Sequence, residues 1–149
     1  MISSELADSR ARSTIPYQTH GGIRMQRDME VVRKVLRAVQ QKGDLVPRPM
    51  SVDGVADQVV AHHIALLLRA GYIDGVSGSV VADGSESVLV RDLTWEGHEF
   101  AGALLAEDTV WSQIKETVGA ERLGTMPLKL VQEIATKALS AWVTRKLGL

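Results

Sequence analysis

Few residues of this chain have the types and spacing that catalysis or metal binding would need. The histidine-containing pairs are His62-His63 and His98-Glu99, and neither forms the H-E-x-x-H pattern of a zinc-dependent hydrolase. His63 shares its predicted helical face with the apolar Val60, Ile64 and Leu67, so we expect it to be a packed core histidine. His98 falls in the first turn of another predicted helix, where we expect it to be exposed or locally hydrogen-bonded.

Other chemical signals are missing from the sequence. The 13 glycines match neither the phosphate-binding pattern G-x-x-x-x-G-K-S/T nor the dinucleotide-binding pattern G-x-G-x-x-G. The chain has no cysteine, which excludes disulfides, thiolate zinc sites and cysteine nucleophiles. We therefore expect no catalytic residue, no metal and no cofactor, and a protein that is not an enzyme.

Composition limits the classes that remain. The 149 residues carry 17 basic and 18 acidic side chains, a formal net charge of −1, and 45% are apolar, as is usual for one globular domain. The near-neutral charge counts against nucleic-acid binding through bulk electrostatics alone. Because no run approaches the roughly 20 apolar residues of a membrane span, we expect no membrane partner and a cytoplasmic location.

The N-terminal residues differ from the rest of the chain. Residues 1–24 have no sustained hydrophobic period and no apolar stretch of the kind found in secretory signals. We predict that they form a flexible N-terminal arm. Residues 25–149 are then predicted to form a single domain.

Hydrophobic periodicity predicts the elements of the N-terminal half. A first helix begins near Met25 and ends at Gly43, which we expect to adopt a left-handed cap. Two prolines make residues 45–52 an edge strand or an extended connector. Asp53 is then the predicted cap of a second helix over 54–70, and Asp83-Gly84 is the predicted turn of a hairpin over 72–93.

The last third is predicted to be helical. Thr94 and Asp108 are the expected caps of two helices, and Pro127 is the expected first residue of a long C-terminal helix. The order helix, strand, helix, hairpin is typical of a winged helix. The sequence therefore predicts an α+β fold with a winged-helix-like N-terminal part and a three-helix C-terminal extension, whose core anchors are the tryptophans Trp95, Trp111 and Trp142.

Six short segments also carry a family resemblance. They are MQRDME (25–30), AHHI (61–64), LLRAG (67–71), LTWEGHEF (93–100), DTVW (108–111) and LGL (147–149). In these segments the chain resembles the domain of unknown function 2513 family of small bacterial, phage and prophage proteins. The resemblance spans residues 25–149 and implies a winged-helix-like fold without implying a particular activity.

DNA binding is one function that this fold suggests, as a phage- or prophage-type transcription regulator. The second helix would present Gln58, His62, Ala65 and Arg69 on one face, and glutamine and arginine are suited to reading bases in the major groove. The expected phosphate anchors are the cations of the first helix, namely Arg27, Arg33, Lys34 and Arg37. Residues 43–75 and 76–99 are net acidic, however, which weakens this hypothesis.

Protein–protein interaction is the alternative, as an adaptor or inhibitor of a host or phage protein. The C-terminal helix carries one apolar row, from Leu128 through Val131 to Trp142, that can dock on its own domain. A second row could pair with a symmetry-related copy and form a homodimer. The predicted interface residues are Leu130, Ile134, Ala141 and Trp142.

Overall fold

The computed structural model describes residues 26–80 and 86–149. The predicted flexible arm (1–24) and the predicted hairpin turn at Asp83-Gly84 lie outside these described residues.

Within the described ranges the chain forms six helices and one two-stranded antiparallel sheet, which confirms the α+β class. Their order is consistent with the winged-helix-like arrangement. The extension contains one short helix, α5, that the periodicity did not predict. The elements are α1 (Met29–Gln40), α2 (Asp57–Arg69), β1 (Ile73–Val80), β2 (Glu86–Leu93), α3 (Trp95–Leu105), α4 (Asp108–Val118), α5 (Ala120–Thr125) and α6 (Leu128–Leu147).

The first helix is amphipathic, as its periodicity predicted. Its N-cap is Asp28, whose side chain accepts a hydrogen bond from the Glu30 backbone N–H at 2.8 Å. The predicted left-handed cap at Gly43 is wrong, because α1 already ends at Gln40. The amides of Gln41 and Lys42 bond the carbonyls of the last turn, so no left-handed residue is needed.

The predicted capping of α2 by Asp53 is also wrong. Residues 53–55 form a turn in which Gly54 has a φ of +81°, and the N-cap of α2 is Ala56, without a side-chain hydrogen bond. The preceding connector contributes one isolated bridge to the sheet, in which Arg48 and Val90 exchange backbone hydrogen bonds of 3.1 and 2.8 Å. It is therefore an extended connector rather than a full third strand.

The hairpin is present as predicted, and its register runs from Ile73 opposite Leu93 to Val80 opposite Glu86. An irregularity between Asp74 and Gly75 shifts this pairing. A Cβ atom at Gly75 would lie 2.6 Å from the Leu89 carbonyl oxygen, so the close approach of the two strands needs glycine here.

The helical extension begins at a cap that the sequence predicted. Thr94 accepts a hydrogen bond from the Gly97 amide at 3.0 Å and donates one to the Gly71 carbonyl at 2.6 Å. The other two expected boundaries are shifted by one residue. Asp108 is the first residue of α4, and its cap is Glu107, while Pro127 is the cap of α6 rather than its first residue.

Buried apolar residues from both halves form one hydrophobic cluster. Trp111 is buried and Trp142 is partly buried against this cluster, as predicted. Trp95 is 76% exposed, so its predicted role as a core anchor is wrong. At 3.6 residues per turn, Trp95 lies about 180° around α3 from the buried Leu104 and therefore faces away from the core. None of the helices in the described ranges has the length and apolarity to cross a bilayer.

Candidate functional site

Three of the predicted base-reading residues lie on one side of α2. Gln58, His62 and Arg69 follow at i, i+4 and i+11, and Arg69 is exposed while the other two are half-buried. Ala65, which was predicted on the same face, is only 3% exposed and is part of the core. The His62 ring packs edge-on against His63 at 5.6 Å, so its accessible surface is reduced.

Two of the four predicted phosphate anchors are used inside the fold. Arg33 donates from Nε to the Leu104 carbonyl at 3.2 Å and from Nη2 to Asp108 at 2.8 Å, and its guanidinium lies 5.3 Å from the centre of the Trp111 ring. Its side chain is only 13% exposed. Lys34 and Arg37 remain exposed on the outer side of α1. Two of the four predicted phosphate anchors, Lys34 and Arg37, therefore face solvent.

The other internal cation is Arg27, beside the start of α1. Its Nη2 donates to the carbonyls of Leu123 and Met126, and Gly124 packs so close that a Cβ there would lie 2.8 Å from the Arg27 carbonyl oxygen. Among the described residues, its buried Nε has no acceptor, and burial lowers the pKa of Arg27 from its ordinary value. Arg27 thus holds the N-terminus of α1 against α5 and its C-terminal cap, Met126.

A cleft of about 670 Å³ opens at this junction between α1, α4 and α5. Glu30 accepts hydrogen bonds from Trp111 Nε1 at 2.8 Å and is paired with Lys115 at 3.1 Å. Although burial raises the pKa of Glu30, the hydrogen bonds from Trp111 and Lys115 lower it overall. The cleft has the size of a ligand site, but these charged groups already pair with each other. We therefore interpret its polar side chains as structural.

His63 lies on the wall of this cleft and is buried, as predicted. Its Nε2 accepts a hydrogen bond from the Asp28 backbone N–H at 2.8 Å, so that nitrogen carries no proton. The other ring nitrogen, Nδ1, lies 2.8 Å from the Val59 carbonyl and must donate to it. The ring is therefore neutral, and its hydrogen bond to Asp28 joins α2 to the N-cap residue of α1.

This arrangement predicts a pH-dependent stability. Burial is the main cause that lowers the pKa of His63 from its ordinary value of 6.5, with smaller contributions from His62 and Arg27. Below pH 6.5 the unfolded chain binds a proton that the folded ring resists. The free energy of unfolding should therefore fall by up to about 1.4 kcal/mol per pH unit from pH 6.5 down to the lowered folded pKa. Urea titrations between pH 5 and 8 measure this slope.

The variant His63→Gln isolates the contribution of His63. It should lower stability but remove this part of the slope. Equal slopes in the native protein and in His63→Gln would contradict the neutral, doubly hydrogen-bonded ring.

The remaining chemical candidates do not form a site. His98 is exposed, and its Nε2 lies 3.7 Å from Asp92 on the neighbouring strand. In residues 26–80 and 86–149, no cluster of three or more histidines and carboxylates could hold a metal ion.

The long helix α6 is only partly covered by its own domain. Val131 and Ala135 are fully buried, and Leu128, Ala138 and Trp142 pack against the cluster, which confirms the predicted docking row. Of the predicted interface row, Leu130 is 42% exposed and Ala141 is exposed, while Ile134 packs against the core. The exposed Lys137 lies between Ile134 and Ala141 on the same side of the helix and interrupts that row with a charge.

A different apolar row is left uncovered, and the sequence reasoning missed it. Leu139, Val143 and Leu147 follow at i, i+4 and i+8, and we call them the C-terminal stripe. Val143 is 39% and Leu147 66% exposed, and Leu139 is half-buried outside the hydrophobic cluster. The spacing was visible in the sequence, but α6 carries apolar residues on several sides, so periodicity could not select this row.

Comparison with known proteins gives one match. A family model described as "Hypothetical protein (DUF2513)" matches residues 26–124. The match contains α1 to α4 and most of α5, and it ends before α6, so the LGL segment at 147–149 lies outside it. Comparison with curated proteins and with solved structures finds no match.

Proposed function

The chain belongs to the DUF2513 family, and we propose that it is a non-enzymatic protein-interaction module that docks a partner through the exposed side of α6. The observation that carries the proposal is the C-terminal stripe. Its three residues cover about 12 Å along one helix, at 1.5 Å per residue. The proposal places this encounter in the cytoplasm, the compartment expected from the sequence.

The three residues of the stripe lie outside the hydrophobic cluster. The last fully buried residue of α6 is Ala135, and the twelve helical residues that follow it extend for about 18 Å. Among the partly buried apolar residues of this part, Ala138 and Trp142 pack against the cluster and Leu139 does not. Apolar side chains grouped on a helix without an internal partner are typical of interaction surfaces.

An aspartate in the stripe tests this proposal. Leu147→Asp should change the free energy of unfolding by less than about 0.5 kcal/mol, because Leu147 is 66% exposed. A photo-crosslinking residue at Val143 should give a discrete adduct in cells, and Leu147→Asp should remove that adduct.

The matched control places the crosslinker at Glu116, an exposed residue of α4, where no such adduct is expected. If both positions give the same products, or if Leu147→Asp lowers the melting temperature strongly, the stripe is not a docking surface.

DNA binding is a second candidate, favoured by the alignment of Gln58, His62 and Arg69 on one side of α2. The exposed Lys34 and Arg37 would then contact phosphates. Arg69→Ala should weaken duplex binding and relax the preference at one base pair by roughly 1–3 kcal/mol. An unchanged mobility shift, compared with Arg122→Ala on the exposed side of α5 as a control, would reject this placement.

A further inference from the structure

We propose that the partner of the C-terminal stripe is an acidic amphipathic helix of another protein. This inference rests on the proposed function and specifies the chemistry of the partner. It is carried by the shape of the stripe, by the charges of the helical segment that contains it and by its small size.

The shape favours a helical partner. Leu139, Val143 and Leu147 are separated by four residues each, so they form one ridge along α6. Such a ridge fits the groove between side chains of a second helix that presents apolar residues at spacings of three and four. Leu149 follows the end of the helix and is 86% exposed.

The charges on the second half of α6 favour an acidic partner. After Ala135 the helix carries three exposed cations and no acidic side chain. One of them, Lys146, lies beside the stripe, three residues after Val143. None of the three lies in an ion pair within the described parts of the chain, although Lys146 lies 5.6 Å from the centre of the Trp142 ring. A partner with carboxylates beside its apolar residues would complement this positive charge and bind faster. The three cations are Lys137, Arg145 and Lys146.

The same charges disfavour a second copy of this chain as the occupant. Two α6 helices that met through their stripes would bring together two segments that each carry three cations and no acidic side chain. Like charges placed opposite each other oppose association. A helix with the opposite charge avoids this repulsion and retains the apolar contact.

The size of the stripe sets the expected affinity. Three aliphatic side chains form a contact below the roughly 1,200–2,000 Å² of a standard stable interface. We therefore expect a transient complex with a dissociation constant in the micromolar range, which weakens as salt screens the charges.

The test uses the full chain and two designed peptides that share one helical apolar row. One peptide carries glutamates on its flanks, and the other carries lysines at the same positions. Fluorescence anisotropy should show the acidic peptide binding at least tenfold more tightly than the basic one, with an affinity that falls between 50 and 300 mM salt. Leu147→Asp should weaken binding at least tenfold, and Lys146→Glu should also weaken it.

Leu130→Asp is the matched control, because this leucine is 42% exposed on the same helix, 17 residues or about 25 Å before Leu147. It should leave peptide binding unchanged. Equal binding of the two peptides, or equal losses in Leu130→Asp and Leu147→Asp, would overturn the proposal.

Two other occupants would also overturn it. Binding to vesicles that contain phosphatidylserine, without a preference for the acidic peptide, would identify a membrane surface. A dimer in sedimentation that Leu147→Asp dissociates would identify a second copy. If the crosslink in cells persists but the acidic peptide does not bind, the interaction function stands and only the acidic partner is rejected. If neither is observed, both proposals fail.

Discussion

Replacing Gly97 by alanine is expected to lower the free energy of unfolding by about 3 kcal/mol, the upper part of the range for overpacking a core. A Cβ at this position would lie 1.9 Å from the Tyr72 carbonyl oxygen and 3.1 Å from the Leu93 Cβ. The first of these atoms belongs to the backbone and cannot rotate away. Helix α3 would have to move, which would also disturb the hydrogen bond from the Thr94 amide to the same oxygen.

The control lies on the same helix. Gly102 is exposed, and a Cβ added there would meet no atom within 4 Å, so Gly102→Ala should raise stability by about 0.5–1 kcal/mol through helix propensity. Urea denaturation of the two variants measures both effects. A loss below about 1 kcal/mol for Gly97→Ala would show that α3 can shift without losing its contacts with the hairpin.

Phe100→Ala is expected to cost about 3–5 kcal/mol, as is usual for removing a buried aromatic ring. Phe100 is fully buried and stacks on Tyr72, with ring centres 4.5 Å apart and an angle of 28° between the rings. Tyr72 precedes the hairpin and bonds Gln132 of α6 at 3.2 Å, so this pair joins the N-terminal elements to the helical extension. Thermal unfolding of the variant should remain a single transition at a lower temperature.

Trp95→Ala is the matched control for this loss. It also removes an aromatic ring from α3, but Trp95 is 76% exposed, so the change in stability should stay within about 0.5 kcal/mol. Two separate transitions in Phe100→Ala would show that the two halves unfold independently, against the single predicted domain. Similar losses in both variants would show that Trp95 packs in solution.

The elements that were predicted correctly are those whose signals are local. The hydrophobic period of α1, the cap at Thr94 and the hairpin depend on residues close to each other in the chain. Helix ends were predicted less well. Gly43, Asp53 and Asp108 have the residue types of caps, but the observed boundaries depend on which backbone groups find partners in the folded chain.

The candidate site shows the same division. Periodicity placed Gln58, His62 and Arg69 on one side of α2, and the structure agrees. It could not foresee that Arg27 and Arg33 donate to carbonyls of residues more than 70 positions away, because nothing in their surroundings in the sequence distinguishes them from Lys34 and Arg37. The C-terminal stripe was missed for a related reason, since only packing shows which apolar side of α6 stays uncovered.

The amino-acid sequence alone determines the α+β class, the order of the main helices and strands, the buried character of His63 and the absence of cysteine chemistry. Each of these properties depends on residue type and local spacing. The folded chain alone shows which cations face solvent, which tryptophan is exposed and which row of α6 lacks a contact. These properties depend on distances between residues far apart in the chain, which helical periodicity does not encode.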